Sequence, residues 1–476
     1  MLLEVLPWEN LGRCMFNTRP EPKSFRDLLG DNGAFFLLVT AVAIAVRIVF
    51  LLKLRILTDD SFVYGDLAKN WLLHHVYGLS GAQAPVPTYI RLPGYPMFLA
   101  AIWKIVGLEH YRAVLIVQIV FDLGTCFLIA DLTRRIVSDR AAKAAFVLAA
   151  LCPFFANYAA AGLTETLAIF FAALALNATV AALDRPYRIG YWVLCGIALA
   201  GGILLRPDGG MLLVVIGLYV LFQMAGPVTG EERRSEFIGA VLVAAIALAP
   251  LVPWSIRNWR TFHRFEPLTP LYANMPDEFV PHGFHRWTRT WIVDYSSVED
   301  VWFKVDGDSV DVDDVPRRAF DNAQQLQQTV RAFQSYDDNN NNMNPAIDAQ
   351  FAEIASERIH AQPLRYYLEL PFLRALDLWF RPRTEILPID PHWWRYWDDW
   401  RDFAKAVALG LLNLFYVVAA VISLVRGKVR YAGLFVLFAV LRTAFLAWMP
   451  NPEPRYVLEC YPAVLAMAGG IFGRNR

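Results

Sequence analysis

Two adjacent carboxylates, Asp59 and Asp60, stand in LKLRILTDDSFVYGDLAKNW, a few positions beyond an apolar run that ends at residue 52. A carboxylate held within hydrogen-bond reach of a hydroxyl can take its proton as the hydroxyl attacks, which is worth roughly 10²–10⁴-fold in rate. A solvated loop also carries such acids, because exposed carboxylates are ordinary. The arginines elsewhere in the chain favour chemistry over solvation. Arg91 heads RLPGYP, Arg206 lies in LLRPDGG, Arg257 in PWSIRNW and Arg455 in PEPRYVLECYP, each at the end of an apolar run beside Pro, Gly or aromatic residues. Any one of them could be a snorkelling side chain. Snorkelling does not account for the recurrence of arginine on four elements in short loops that are otherwise poor in basic residues. Planar guanidinium groups pair bidentately with phosphate oxygens, and the phosphate of a lipid carrier lies at that depth. Glu165, in GLTE, is a further acid at the start of a run. It reads either as a second functional carboxylate or as a helix-start residue behind an N-capping Thr164.

Other reactive types are less informative. His74 and His75 are adjacent, so on a helix they point about 100° apart and do not face one metal ion. Of the five cysteines, Cys14 lies in the N-terminal tail, whereas Cys126, Cys152, Cys195 and Cys460 fall in or beside apolar runs. CxxC spacing is absent, and they read as packing residues.

The elements that position these side chains are membrane helices. Of 476 residues, 56% are hydrophobic and 18% charged, against about 25% charged in soluble domains. Mean hydropathy is +0.36. Lys+Arg and Asp+Glu both total 44, a balance without the cationic excess that a nucleic-acid partner requires. Ten runs are apolar for about the 17–25 residues a crossing needs: 34–52, 113–131, 144–161, 165–182, 189–205, 210–226, 237–254, 403–425, 431–449 and 456–472. Residues 1–33 lack the compact apolar core of a signal peptide, so the first span is expected to stay as the insertion signal.

The stretch 95–106 is too short to cross and contains Lys104, which places it in the interface or in a re-entrant loop. With that assignment, 1–33, 132–143, 183–190, 227–236, 426–430 and 472–476 share one side and hold 17 Lys/Arg in 73 residues. The opposing short loops 53–112, 158–164, 206–209 and 450–456 hold 8 in 78. The positive-inside rule then makes both termini cytoplasmic and puts the loop 53–112 and the segment 255–402 outside. Within that loop, 62–78 reads as an amphipathic interfacial helix with Leu67, Trp71, Leu72 and Val76 on one face. In the second segment, DDNNNNMNP (337–345) reads as a mobile loop, and PHWWRYWDDW (391–400) suits the headgroup region. The expected organisation is a tail (1–33), seven spans with a catalytic loop (34–254), a large external segment (255–402) and three further spans (403–476).

Six motifs in this order resemble the C-type membrane glycosyltransferases that use polyprenyl-phosphate sugars, within them the bacterial relatives of protein O-mannosyltransferase and lipid A aminoarabinose transferase. They are DDSFVYGDLA, RLPGYP, TETLAIF, RPDG, PWSIRN and RYVLECYP. The likeness covers 34–260 well and 403–470 loosely, and 261–402 has no counterpart. It implies an all-α polytopic fold and an inverting transfer of sugar from a polyprenyl-phosphate donor to a protein, lipid or glycan acceptor at the outer face. It also implies a catalytic Asp followed by an aromatic at the fourth position and Ala at the eighth. Asp60, Tyr64 and Ala68 fit, so Asp60 is the first choice for the base and Asp59 the second. Asp66 reads as a polar-face residue and Glu165 as the family's second acid. Substrate contacts are expected from Arg91, Tyr64, Tyr95, Arg206, Arg257, Arg455 and Tyr456. No cofactor is required, although some relatives bind a divalent metal. A polysaccharide ligase or polymerase, or a transporter of lipid-linked sugars, is the alternative.

The orientation has a direct test. In a cysteine-free variant, Ser80→Cys and Asn340→Cys should react with an impermeant thiol reagent added to intact cells, and Ser138→Cys should not. Labelling of Ser138→Cys from outside would reverse the assignment.

Overall fold

The computed structural model describes residues 24–473 except 227–228, 276, 396–399 and 428, so Cys14 lies outside the described residues. It is helical throughout. The strands among the described residues are β1 (Gly78–Leu79) and β2 (Val86–Pro87), an antiparallel pair with Gly78 opposite Pro87. After a short helix, α1 (Phe25–Asp31), come α2 (Gly33–Lys53), α3 (Asp59–His74), α4 (Gly94–Val106) and α5 (Tyr111–Ile136). The chain continues through α6 (Asp139–Ala150), α7 (Pro153–Ala159), α8 (Glu165–Asp184), α9 (Ile189–Leu205), α10 (Gly210–Met224), α11 (Gly230–Leu248) and α12 (Leu251–Phe262).

Every apolar run is helical, but the runs differ in continuity. Among the described residues six helices can cross a membrane by length and composition: Gly33–Lys53, Tyr111–Ile136, Glu165–Asp184, Pro207–Met224, Gly230–Phe262 and Trp400–Val425. The pair α6 and α7, bent by 50°, makes a seventh if it is one span. Ile189–Leu205 and Ala432–Trp448 are 17 residues each. The last run is not one helix: Tyr461–Ala468 sits between 3₁₀ segments Pro454–Cys460 and Gly469–Phe472. Pro462 and the Gly469–Gly470 pair lie where the sequence had suggested continuity, and Tyr461–Gly470 is buried throughout. At 13 residues, α4 is about 20 Å long, shorter than the hydrocarbon core, in line with its sequence.

The helix expected at 62–78 begins at Asp59 and ends at His75, whose φ of 57° stops it before Val76. Thr58 and Ser61 form its capping box, with the Thr58 N–H donating to Ser61 Oγ at 3.0 Å. Tyr64, Leu67 and Ala68 are buried, and Tyr64 and Ala68 cluster with Tyr95, Leu99 and Trp103 of α4. This face therefore packs into protein, while Phe62 and Leu73 stay exposed.

The bend between α6 and α7 leaves backbone carbonyls without helical partners, a cost that apolar surroundings make severe. Arg47 of α2 meets it. Its guanidinium donates to the carbonyls of Ala150 and Ala149, the latter at 3.4 Å. Its Nε pairs with Asp122 Oδ2 of α5 at 2.6 Å, with both side chains buried. One arginine thus ties three elements together.

By chain contacts the molecule forms two units. The first runs to Ala273 and includes Phe415–Ala439 and the chain from Leu458 onward; the second comprises Asn274–Leu414 and Val440–Val457. The second has its own aromatic core around Trp287, Trp291, Phe333 and Phe351. Its helices are α13 (His282–Thr288), α14 (Ala323–Asp338), α15 (Pro345–Ala361) and α16 (Leu370–Phe380). Two further helices, α17 (Trp400–Val425) and α18 (Ala432–Trp448), contribute to both units, and α19 (Tyr461–Ala468) belongs to the first.

Removing one partner of a buried pair costs about 3–5 kcal/mol. Asp122→Leu should lose that much in thermal or chemical unfolding. Arg47→Leu should lose at least as much, because it also orphans the carbonyl of Ala150, whereas that of Ala149 keeps the Cys152 N–H. The double variant should therefore stay well below wild type; full recovery would show that the carbonyl contacts contribute nothing.

Candidate active site

The two acidic positions lie 105 residues apart, and main-chain contacts join the segments that lead into them. The Ile56 N–H donates to the Ala160 carbonyl at 3.2 Å, and the Gly162 N–H donates to the Ile56 carbonyl at 3.0 Å. Only two residues separate Ile56 from α3, and three separate Ala161 from α8. The starts of these helices are thereby set beside each other. A Cβ at Gly162 would stand 2.9 Å from the Leu57 side chain and 3.0 Å from the Ser61 hydroxyl, so a larger residue here would push those side chains aside. Gln118, fully buried on α5, braces the same turn. Its Nε2 donates to the Ala161 carbonyl at 2.8 Å, and its Oε1 accepts from the Tyr95 hydroxyl at 2.6 Å.

RLPGYP is fixed in a similar way. A Cβ on Gly94 would lie 2.5 Å from the Leu204 carbonyl carbon and oxygen, so the start of α4 rests directly on the last turn of α9, just before Arg206. Arg91 then reaches Asp60, with Nη2 to Oδ1 at 3.0 Å and both side chains about one-third exposed or less. Asp59 is exposed. The Arg91 guanidinium sits 6.0 Å over the Tyr64 ring, which meets Tyr95 edge-on at 5.1 Å.

Tyr64 is the common neighbour of the whole cluster. Burial pushes its phenol up to about 12; Asp60 and Glu165 add to the rise, and Arg91 and Arg206 oppose it. It is therefore a protonated donor at neutral pH. Beyond it, the buried Glu165 faces Arg206 Nη1 at 3.5 Å. Arg206 Nε also pairs with Asp208 at 3.0 Å and lies 3.9 Å from Glu459.

Several expectations change here. Thr164 has a helical backbone and makes no side-chain cap hydrogen bond, so the capping account of Glu165 fails. Asp66 does more than face solvent: its carboxylate accepts from both the N–H and the hydroxyl of Ser80, each at 2.6 Å. Arg257 turns to backbone, donating to the carbonyls of Tyr77 at 2.6 Å and Thr88 at 2.7 Å. It is packed over the rings of Tyr77, Trp254 and Phe262, where it clamps the β1–β2 hairpin. Arg455 and Tyr456 belong to the second unit, where both engage Glu453. His74 and His75 are exposed. Asp208, Glu459 and Gln118 were not singled out from sequence. The first two lie inside the quoted motifs RPDG and RYVLECYP, where their neighbouring arginines drew the attention. Nothing local marks Gln118 beyond being an amide in an apolar run.

Among the described residues no group of three or more His, Cys, Asp or Glu side chains is placed to hold a metal ion. Asp60 and Glu165 each face a guanidinium, so arginine supplies the positive charge beside them.

Residues 86–255 match the family described as dolichyl-phosphate-mannose-protein mannosyltransferase, a stretch that contains Arg91, Glu165 and Arg206. No curated protein matches the chain. Among solved structures, AglB, the oligosaccharyltransferase of Archaeoglobus fulgidus in complex with an inhibitory peptide and a dolichol-phosphate, aligns at TM-score 0.51 and 13% identity over 92% of this chain and 49% of that one. An oligosaccharyltransferase of the same organism in complex with Zn and sulfate aligns at TM-score 0.50 and 14% identity, over 91% and 48%. The chain shares the fold of these oligosaccharyltransferases. At these identities the likeness is one of fold, and the chain spans about half the length of those oligosaccharyltransferases. ArnT of Cupriavidus metallidurans bound to undecaprenyl phosphate is similar at TM-score 0.40 and 15% identity, over 91% and 77%. The Asp60–Arg91 and Glu165–Arg206 pairs stand at helix ends within this fold.

The hairpin clamp is testable. Each hydrogen bond from a charged donor is worth about 1.5–3 kcal/mol. Arg257→Leu should therefore raise amide exchange across 78–88 roughly 10- to 150-fold, with Arg257→Lys in between. Unchanged exchange in Arg257→Leu would remove the clamp.

Proposed function

We propose that this protein is a membrane glycosyltransferase that moves a sugar from a polyprenyl-phosphate carrier to an acceptor at the outer face of the membrane. The observation that carries the reading is the Asp60–Arg91 pair at 3.0 Å beside Tyr64. It combines a proton acceptor and a phosphate-type cation in one place. The family match over 86–255 and the shared fold support the same class of reaction.

In this mechanism an acceptor hydroxyl attacks the anomeric carbon of the donor. Asp60 takes the proton of that hydroxyl, while the bond from the anomeric carbon to the phosphate oxygen breaks and the electron pair leaves with the carrier phosphate. A single displacement inverts the anomeric configuration. A guanidinium has five donors in a fixed fork, so Arg91 can orient Asp60 and still hold a phosphate oxygen as charge develops on it. Tyr64, kept protonated by burial, donates to a ligand oxygen. Arg206, already engaged by Asp208, holds Glu165 to orient the acceptor. Arg455 and Tyr456 are further contacts to the donor, and Asp59 is the second choice for the base.

A transporter would be expected to carry ionisable groups within its spans. The Arg47–Asp122 pair is such a case, but it is buried and the guanidinium is spent on Asp122 and on carbonyls. It therefore reads as part of the frame.

Purified protein in vesicles should consume one of a panel of polyprenyl-phosphate sugars. Asp60→Asn should cut that rate roughly 10²- to 10⁴-fold while donor binding persists, and Asp59→Asn should retain turnover. Arg91→Lys should weaken donor binding, since a point charge cannot reproduce the fork. Wild-type turnover in Asp60→Asn would remove it as the base.

A further inference from the structure

The second unit contains a helix whose exposed face does not suit water. A π-turn, Arg365–Glu369, leads into α16, and along this stretch Leu364, Leu368, Phe372, Leu376 and Phe380 recur every four residues, each 39–73% exposed. Four-residue spacing sets each beside the next in a stripe that winds slowly round the helix. The charged residues within α16 point the other way, and Glu369, just before it, is exposed near the start of the stretch. Arg374 is buried and donates to the carbonyls of Ile292 at 2.7 Å and Ala447 at 3.2 Å, and Asp377 accepts from the Tyr295 N–H at 3.2 Å.

The C-terminal end of α16 is handled as it would be in hydrocarbon. A helix end in water leaves its last carbonyls to solvent, but here protein takes them. Arg383 Nη2 donates to the Leu378 carbonyl at 2.8 Å. Asn413 Nδ2 donates to the carbonyls of Trp379 at 2.8 Å and Arg381 at 3.0 Å. Both donors are buried.

These partners also give a depth. Asn413 lies on the membrane helix α17, eight residues beyond Lys405, with no further charged residue until Arg426. At the helical rise that is about 12 Å into the apolar stretch. Trp379 Nε1 donates to Thr443 Oγ1 of α18 at 2.8 Å, five residues or about 8 Å from the helix end at Trp448. At the other end of the 365–380 stretch, Tyr366 and Tyr367 pack against Trp448, with ring centroids 5.9 and 6.0 Å away. The stretch therefore starts level with the end of a span and finishes well inside it.

We propose that residues 364–380 form a half-membrane helix, immersed in the outer leaflet with the Leu364–Phe380 stripe against acyl chains. Part of the segment between α12 and α17 is then not external at all. The occupant of the stripe is bulk lipid, because its C-terminal end lies beside the apolar stretches of α17 and α18 and the carbonyls there are satisfied without water.

The test uses nitroxide labels on Leu368→Cys, Phe372→Cys and Leu376→Cys, one at a time, in a variant lacking the five native cysteines. The protein is placed in vesicles of phosphatidylethanolamine and phosphatidylglycerol, with Asn340→Cys as the solvent reference. Collision with oxygen should be high and with a water-soluble nickel chelate low, and the oxygen-to-nickel ratio should rise from 368 to 376. Nickel accessibility equal to that at Asn340→Cys would overturn the proposal. So would low collision with both probes, which would mean that a second copy covers the stripe. Loss of oxygen contact on adding undecaprenyl phosphate would overturn it too, in favour of a groove for a carrier tail.

Discussion

In hydrocarbon a backbone carbonyl must find a donor within the protein, and this constraint decides where the chain can break a helix. The α6–α7 bend is possible because Arg47 reaches the carbonyls of Ala149 and Ala150 while Asp122 balances its charge. From the bend, α7 delivers the chain to Ala160–Gly162, where it pairs with Ile56. That pairing brings the starts of α3 and α8 together, and with them Asp60 and Glu165. A buried ion pair outside the candidate site thus underlies the placement of the two acids within it.

The sequence made the apolar runs plain, because hydropathy depends on composition and length alone. It also made Asp60, Arg91, Glu165 and Arg206 conspicuous as charges at run ends. What it could not show was pairing: Arg47 and Asp122 are 75 residues apart, and nothing in either neighbourhood names the other. Arg257 illustrates the same limit. Its local context resembles that of Arg91, yet one guanidinium meets a carboxylate and the other two carbonyls. The broken run at 456–472 was hidden for a different reason. Hydropathy registers burial, and a fully buried segment can be apolar without being one straight helix.

The polar groups of the second unit follow the same logic as those of the first. Arg358, buried among helices, donates to Thr290, Gln325 and the Arg318 carbonyl, and Arg374 donates to three carbonyls. Arginine suits this work because its fork can satisfy several acceptors from one buried position. Its abundance at helix ends is therefore no guide, by itself, to which arginines meet a ligand.

The crossing of Ile56 over Ala161 has a consequence for access. Loops that close over substrates usually swing on a hinge, and this one has no slack where a hinge would be needed. Its base is hydrogen-bonded to a turn between membrane helices, wedged at Gly162 against Leu57 and Ser61. The hairpin beyond α3 is held by Arg257, and Gly94 is seated on Leu204. The segment 53–112 is therefore a braced frame and not a hinged flap, so Asp60 and Arg91 are held in place by the same contacts that join the helices beneath them.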